Sequence, residues 1–144
     1  MIVSFQVTMD CADPDRLAKF WAEALGFVIP DPPEGHATWE DFLRSMNVPE
    51  EEWNSASAIQ DSKSDPTRRI YFQKVPEPKA VKNRLHLDLN VAARGTPAEE
   101  RRTLVDAEVE RLAGIGASKV EAREKYDEYW VVMQDVEGNE FCLQ

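Results

Sequence analysis

The chain has 144 residues, of which 42% are hydrophobic, and a formal net charge of −10. This length is enough for one cored domain and too short for two ordinary ones. The negative charge, with no cluster of Lys or Arg, argues against nucleic acid and against an anionic membrane surface as partners. The N-terminal segment has no charged leader, and no stretch approaches ~20 consecutive apolar residues, so we expect a cytoplasmic protein.

The first predicted elements are a strand at 2–11 and a helix at 14–25. Apolar and polar residues alternate in the strand IVSFQVTMDC, which is typical of a strand with one buried face. Asp13 is a favourable N-cap, and apolar residues then recur at helical spacing until Gly26 ends the run. Cys11 lies on the apolar side of the strand, so we expect it in the core as a free thiol.

The segment 31–54 is predicted to be an inserted flap. It is rich in turn residues, and Thr38 can cap a short helix within it. Trp39 and Trp53 of this insert can either cover the mouth of a pocket or anchor the insert to the domain. Strands at about 55–61 and 69–75 complete the first half of the chain.

The second half repeats this order of elements. The strand NRLHLDLNV at 83–91 alternates strictly, with its leucines predicted to pack on the helices and His86 on the polar face. Thr96 followed by Pro97 and Glu99 predicts a capped helix at about 97–113. Three more strands are predicted, at about 118–122, 128–134 and 139–144.

Both halves therefore have the pattern β-α-β-β-β, which indicates an internal duplication. Aligning FQVTMDC with LHLDLNV pairs Gln6 with His86, and aligning IYFQKV with NEFCLQ pairs Gln73 with Cys142. Each half has one long helix to cover its sheet, so two curved half-sheets can enclose a concave space on their other face. We expect these four side chains to converge in that space.

The predicted fold class is accordingly α+β, with two βαβββ modules that form a curved mixed sheet around a central cup. We expect a single domain over 1–144. Module one would span 1–78, including the insert at 31–54, and module two would span 83–144.

Three segments of the sequence resemble the vicinal oxygen chelate superfamily, which includes glyoxalase I, bleomycin-resistance proteins, extradiol dioxygenases and methylmalonyl-CoA epimerase. They are FQVTMDCADPDRLAKFWAEALGF, YFQKVPEPKAVKNRLHLDL and VVMQDVEGNEFCL. The resemblance implies the glyoxalase/bleomycin resistance/dioxygenase fold, with one metal ligand on each of four strands, which here are Gln6, Gln73, His86 and Cys142. Only His86 is a strong ligand of the usual type. Gln6 matches a substitution seen in some glyoxalase I enzymes, whereas Gln73 and Cys142 stand where the resemblance leads us to expect glutamates. A Cys142 thiolate would favour Zn²⁺ over Mg²⁺ or Mn²⁺, and a site that binds no metal remains the alternative.

Two functions are compatible with these residues. The first is lyase or isomerase chemistry, in which a metal near His86 polarises a carbonyl oxygen and a carboxylate removes a proton. Asp88 and Glu140 share the polar face with His86 and are the candidate bases. The second is metal-free binding of a small molecule, as in bleomycin-resistance proteins. A homodimer is expected in either case, because many relatives dimerise and the sheet edges are open to pairing.

Each of these residues also has a purely structural interpretation. His86 could be an ordinary hydrogen-bonded histidine, and Cys142 a small buried apolar side chain. Gln6 and Gln73 could hydrogen-bond each other or hold a polar group of a ligand. Asp88 and Glu140 could be solvated or paired with a cation.

Overall fold

A computed structural model describes residues 3–64 and 66–144 and divides the chain into two compact units, 1–78 and 79–144. Ile2 of the first predicted strand lies outside the described residues. The helices are α1 (Pro14–Leu25), α2 (Trp39–Ser45) and α3 (Ala98–Gly114), and the strands are β1 (Val7–Cys11), β2 (Ala56–Gln60), β3 (Arg69–Lys74), β4 (Asp88–Leu89), β5 (Ser118–Lys125), β6 (Glu128–Gln134) and β7 (Glu140–Leu143). The predicted α+β class is confirmed.

The first unit is a three-stranded sheet covered by α1. Its strand order is β1-β3-β2, with β1 parallel and β2 antiparallel to β3, and Val28 forms a bridge with Gln60 at the outer edge of β2. The apolar stripe of α1 packs on the sheet, and Leu17, Trp21 and Phe72 are almost completely buried. Burying side chains of this size provides roughly 1.5–3 kcal/mol each, which makes this contact the main stabilising element of the unit.

Local capping sets the ends of α1 as the sequence predicted. The Asp13 carboxylate accepts a hydrogen bond from the Arg16 N–H, and Gly26 ends the helix in the left-handed conformation with φ +67°. Asn54 adds a contact that the sequence did not reveal. Its amide donates to Asp13 Oδ1 at 2.8 Å and accepts from the Asp15 N–H at 2.9 Å, so the end of the insert is tied to the start of α1.

The insert contains the predicted short helix α2, and Thr38 caps it by accepting from the Asp41 N–H. Both tryptophan indoles donate within or next to the insert, Trp39 to the Pro30 carbonyl and Trp53 to the Val48 carbonyl. No residue of α2 is buried. The tryptophans therefore hold the shape of the insert itself.

The second unit is a four-stranded sheet of order β4-β7-β6-β5, covered by α3. Alternate residues of β6 and β7 are buried against Val105, Val109 and Leu112 of the helix. The Tyr129 hydroxyl donates to Asp106 on α3 at 2.6 Å, which adds a polar anchor between sheet and helix. β5 has one neighbour, and all of its residues are exposed. Its charged side chains and a bulge between Lys119 and Glu121 oppose pairing with another strand.

Each unit places its elements in the same order. In the first unit the order is β1-β3-β2, and the Val28 bridge lies beyond β2. In the second unit the order is β4-β7-β6-β5, so β5 occupies the place of the Val28 bridge. Both sheets join their first and last strands in parallel. This common topology agrees with the predicted duplication. The cup would require both units, so it stays a prediction.

Two of the predicted strands are shorter than the alternation suggested. In the first, pairing starts at Val7, and Val3 and Phe5 are 72% and 91% exposed. In NRLHLDLNV only Asp88–Leu89 forms a regular strand, and Leu85 is 70% exposed instead of packed on a helix. The reason is the same in both places, because these residues precede the first position at which the neighbouring strand offers a hydrogen-bonding partner.

The predicted cap of α3 is also wrong. Thr96 donates its hydroxyl to the Ala93 carbonyl and caps no helical N–H group, and Pro97 takes the N-cap position without a side-chain hydrogen bond. Every helix in the described part of the chain falls short of the length and hydrophobicity needed to cross a bilayer.

Candidate metal-binding site

Three potential metal ligands meet on the second sheet, on the face away from α3. Asp88 on β4 is the register partner of Cys142 on β7, so their side chains share one face. His86 lies two residues before Asp88, which puts it on the same face, with its Nε2 3.3 Å from Asp88 Oδ1. The imidazole, carboxylate and thiol ligand atoms all lie within 4.8 Å of one another. We call these residues the His86–Asp88–Cys142 cluster.

The chemistry of this donor set suits a divalent ion. One imidazole, one carboxylate and one potential thiolate are the ligand types found in zinc sites, and a thiolate selects for softer ions. His86 and Asp88 have side chains that are 39% and 46% exposed, so an ion and a small molecule can reach them from solvent. The arrangement can therefore hold a metal with a coordination position open.

Cys142 is partly buried, and burial is the main reason that its pKa lies above the usual value. The negative charge of Asp88 and a hydrogen bond from the thiol to that carboxylate raise it further, whereas Lys82 and Arg123 act in the opposite direction. Without a cation the thiol stays protonated at neutral pH. Metal binding must release this proton, since the thiolate is the ligand.

Glu140 lies at the same end of the sheet, but its carboxylate is already fully engaged. Burial alone would raise its pKa, yet hydrogen bonds from the Asn83 N–H, Lys79 and Gln134 lower it to about 2. A carboxylate with so low a pKa is a poor proton acceptor at neutral pH. Its contacts instead fasten segment 79–83, which leads into His86, onto β7. These contacts favour a structural role for Glu140, and its role as a base stays a prediction.

Gln6 and Gln73 belong to the other unit, and they do not hydrogen-bond each other. The Gln6 side-chain oxygen accepts from Arg69 at 2.7 Å, and the Gln73 amide makes a long contact of 3.5 Å with Asp10. Asp10 and Gln73 are register partners, so Gln6 and Gln73 share a sheet face but are separated by about four residues along it. Their convergence with His86 and Cys142 stays a prediction.

The strand registers also show that the two pairings made from the duplication are not mutually consistent. If Gln6 corresponds to His86, then Thr8 corresponds to Asp88. The partner of Thr8 is Tyr71, whereas the partner of Asp88 is Cys142. On this alignment Tyr71, and not Gln73, occupies the position equivalent to Cys142. Strand register depends on long-range pairing, which a comparison of two short segments does not reveal.

The chain belongs to the glyoxalase-like domain family, whose model matches residues 6–144. This confirms the resemblance to the vicinal oxygen chelate superfamily that the sequence indicated. The matched region includes every candidate ligand on both units. Among curated protein sequences, none matches the chain.

Several solved structures share its fold. A glyoxalase/bleomycin resistance protein/dioxygenase family enzyme from Burkholderia phytofirmans PsJN is 18% identical, with a TM-score of 0.60 over 96% of this chain and 94% of that one. A mutant of the fosfomycin resistance protein FosX from Listeria monocytogenes, complexed with Mn(II) and 1S,2S-dihydroxypropylphosphonic acid, is 12% identical, with a TM-score of 0.61 over 100% and 90%. A possible glyoxalase from Bacillus cereus is 14% identical, with a TM-score of 0.58 over 96% and 95%. These likenesses establish the glyoxalase/bleomycin resistance/dioxygenase fold.

Proposed function

We propose that this protein acts on a small organic molecule with lyase or isomerase chemistry assisted by a divalent metal. The observation that carries the proposal is the His86–Asp88–Cys142 cluster, because it gathers three kinds of ligand atom within 4.8 Å on one sheet face. When bound, the ion would supply Lewis-acid polarisation of a substrate oxygen. Zn²⁺ suits the thiol better than Mn²⁺ or Mg²⁺. The Mn(II) complex of FosX supports metal use in this fold, with a different ion.

The residues of the cluster have different proposed roles in metal binding and proton transfer. His86 is the neutral nitrogen ligand, and its 3.3 Å contact with Asp88 orients the ring. Asp88 accepts a hydrogen bond from the Cys142 thiol in the metal-free protein. It is the proposed base, which leaves His86 and Cys142 as the metal ligands of this unit.

Metal titration tests this proposal directly. Protein purified without a metal-affinity tag and stripped of metal should bind one equivalent of Zn²⁺ in calorimetry, more tightly than Mn²⁺. His86→Ala and Cys142→Ala should each weaken Zn²⁺ binding by more than the roughly 10–100-fold that loss of an outer-shell partner causes, because each removes a ligand. His36→Gln, at the other histidine of the chain, is the matched control. Equal Zn²⁺ affinity in wild type and His86→Ala would refute the site.

Metal-free small-molecule binding is the second candidate, and one observation favours it. The raised pKa of Cys142 keeps the thiol neutral and bonded to Asp88, so the cluster satisfies its own polar groups without an ion. In that case Zn²⁺ would not bind in the titration above, and the same face would retain its affinity for a small molecule. The two candidates are thus separated by one experiment.

We further propose that the protein is a homodimer. The support is that β1 and β4 lie at the edges of their sheets in the described part of the chain, so each can pair with a strand of a second copy. Light scattering at micromolar concentration should return twice the mass of 16.4 kDa. A single-chain mass would contradict this.

A further inference from the structure

An open cavity of about 760 Å³ lies within the second unit, beside the His86–Asp88–Cys142 cluster. Its walls come from the loop after β4, the first turns of α3, the start of β6 and the end of the sheet. The side chains that matter for its chemistry are Asn90, Arg94, Arg101, Glu128, Trp130 and Gln144. This volume falls in the range of small-ligand sites, which is roughly 300–1,000 Å³.

The cavity lies at the end of the sheet, where α3 and Tyr129 form part of its wall, and Gln144 links it to the face that carries the cluster. Gln144 lies two residues beyond Cys142 on the same side of the chain, about 7 Å further along. Its amide donates to Asn90 Oδ1 at 3.1 Å, and Asn90 in turn lies two residues beyond Asp88. A molecule with one end at the cluster would therefore extend over this amide pair into the cavity.

The charge of the cavity is opposite to that of the chain. The protein carries a net charge of −10, yet two arginines line this space against the single carboxylate of Glu128. Arg101 is partly held by donating to the Thr96 carbonyl at 3.2 Å, which leaves further N–H groups of its guanidinium for a ligand. Arg94 is exposed on the loop of residues 92–95. Guanidinium groups are suited to binding a carboxylate or phosphonate group.

Trp130 supplies an apolar wall. It is half-buried and alternates along β6 with the buried Tyr129, so the two side chains point to opposite faces of the strand. The indole faces the side on which Cys142 and Gln144 lie, as the register of β6 with β7 shows. A flat or apolar ligand body can pack against it while an anionic group meets the arginines.

We infer that the substrate or ligand of this protein is a small organic anion, whose charged group is held by Arg94 and Arg101 and whose apolar body packs on Trp130. The inference rests on the proposed function in one respect, since it takes the cluster and the cavity to serve one molecule. The class of ligand follows from the cavity residues alone, so ligand binding to the cavity can be measured without a metal.

Benzoate is a suitable probe, followed by amide and indole N–H signals in nuclear magnetic resonance titrations of the whole protein. Benzoate should shift the signals of the cavity residues saturably. Benzamide has the same shape and no charge, so it should bind at least roughly tenfold more weakly. Arg94→Gln should weaken benzoate binding by about as much, and Arg111→Gln on the outer part of α3 is the matched control. Arg94 is exposed on a loop, so its substitution leaves folding intact.

Three results would overturn the inference: no saturable shift with benzoate in wild type, equal binding of benzamide, or unchanged affinity in Arg94→Gln. Loss of benzoate binding in His86→Ala would also overturn it, because the anion would then sit on the cluster. If the proposed metal-assisted function is wrong, the result is different: Zn²⁺ does not bind, while benzoate binding is still weakened by Arg94→Gln. Conversely, Arg94→Gln should leave Zn²⁺ affinity unchanged.

Discussion

Replacing Glu140 by glutamine should destabilise the protein by about 2 kcal/mol at pH 7. The Glu140 carboxylate has a pKa of about 2 instead of 4.5 because the Asn83 N–H, Lys79 and Gln134 stabilise its charged form. A pKa lowered by about 2.5 corresponds to roughly 3.4 kcal/mol of favourable interaction. Lys79 and Glu140 have side chains that are 25% and 14% exposed, so solvent screening reduces the value to about 2 kcal/mol.

The stabilisation by the Glu140 carboxylate should decrease as the pH is lowered. The folded-state pKa is depressed, so the stabilisation is fully present above pH 4.5 and is lost as pH falls toward 2. The difference between wild type and Glu140→Gln should therefore shrink by roughly a third to a half between pH 7 and pH 3.5. Urea unfolding at both pH values measures it, and Glu110→Gln on the exposed side of α3 serves as the control. A difference below about 0.5 kcal/mol at pH 7, or one that does not change with pH, would refute the reasoning.

Three further predictions concern other contacts. Zn²⁺ affinity should fall as pH is lowered, because the raised pKa of Cys142 makes the ligand thiolate harder to form; calorimetry showing no pH dependence would contradict this. Asn54→Ala should cost about 1 kcal/mol in urea unfolding and should raise the pKa of Asp13 in a carboxyl titration, since the Asn54 amide is the main cause of its lowering. Tyr129→Phe should cost about 1 kcal/mol at pH 7. Burial and Asp106 raise the pKa of Tyr129 to about 12, so wild type should lose stability between pH 10 and 12 in a way that the phenylalanine variant does not.

The ends of α1 were predictable from the sequence because their causes lie within a few residues. The cap at Asp13 and the left-handed end at Gly26 set α1 through contacts that reach at most five residues along the chain. The period-two pattern placed His86 and Asp88 on one face in the same way, since alternation depends only on the backbone of the strand. The family followed from segments that span most of the chain, and its fold came with it.

Other features of the site were set only by the tertiary structure, because they depend on which distant residues become neighbours. Asp88 and Cys142 meet through pairing across more than fifty residues, and a shift of the register by one position would have turned Cys142 to the other face. The same long-range pairing places Tyr71 at the position for which Gln73 was predicted. Within the described residues, Phe5 and Leu85 lie before the paired strands and stay exposed. The low pKa of Glu140 was likewise not predictable from the sequence, because it is set by hydrogen-bond donors that only the folded chain brings to the carboxylate.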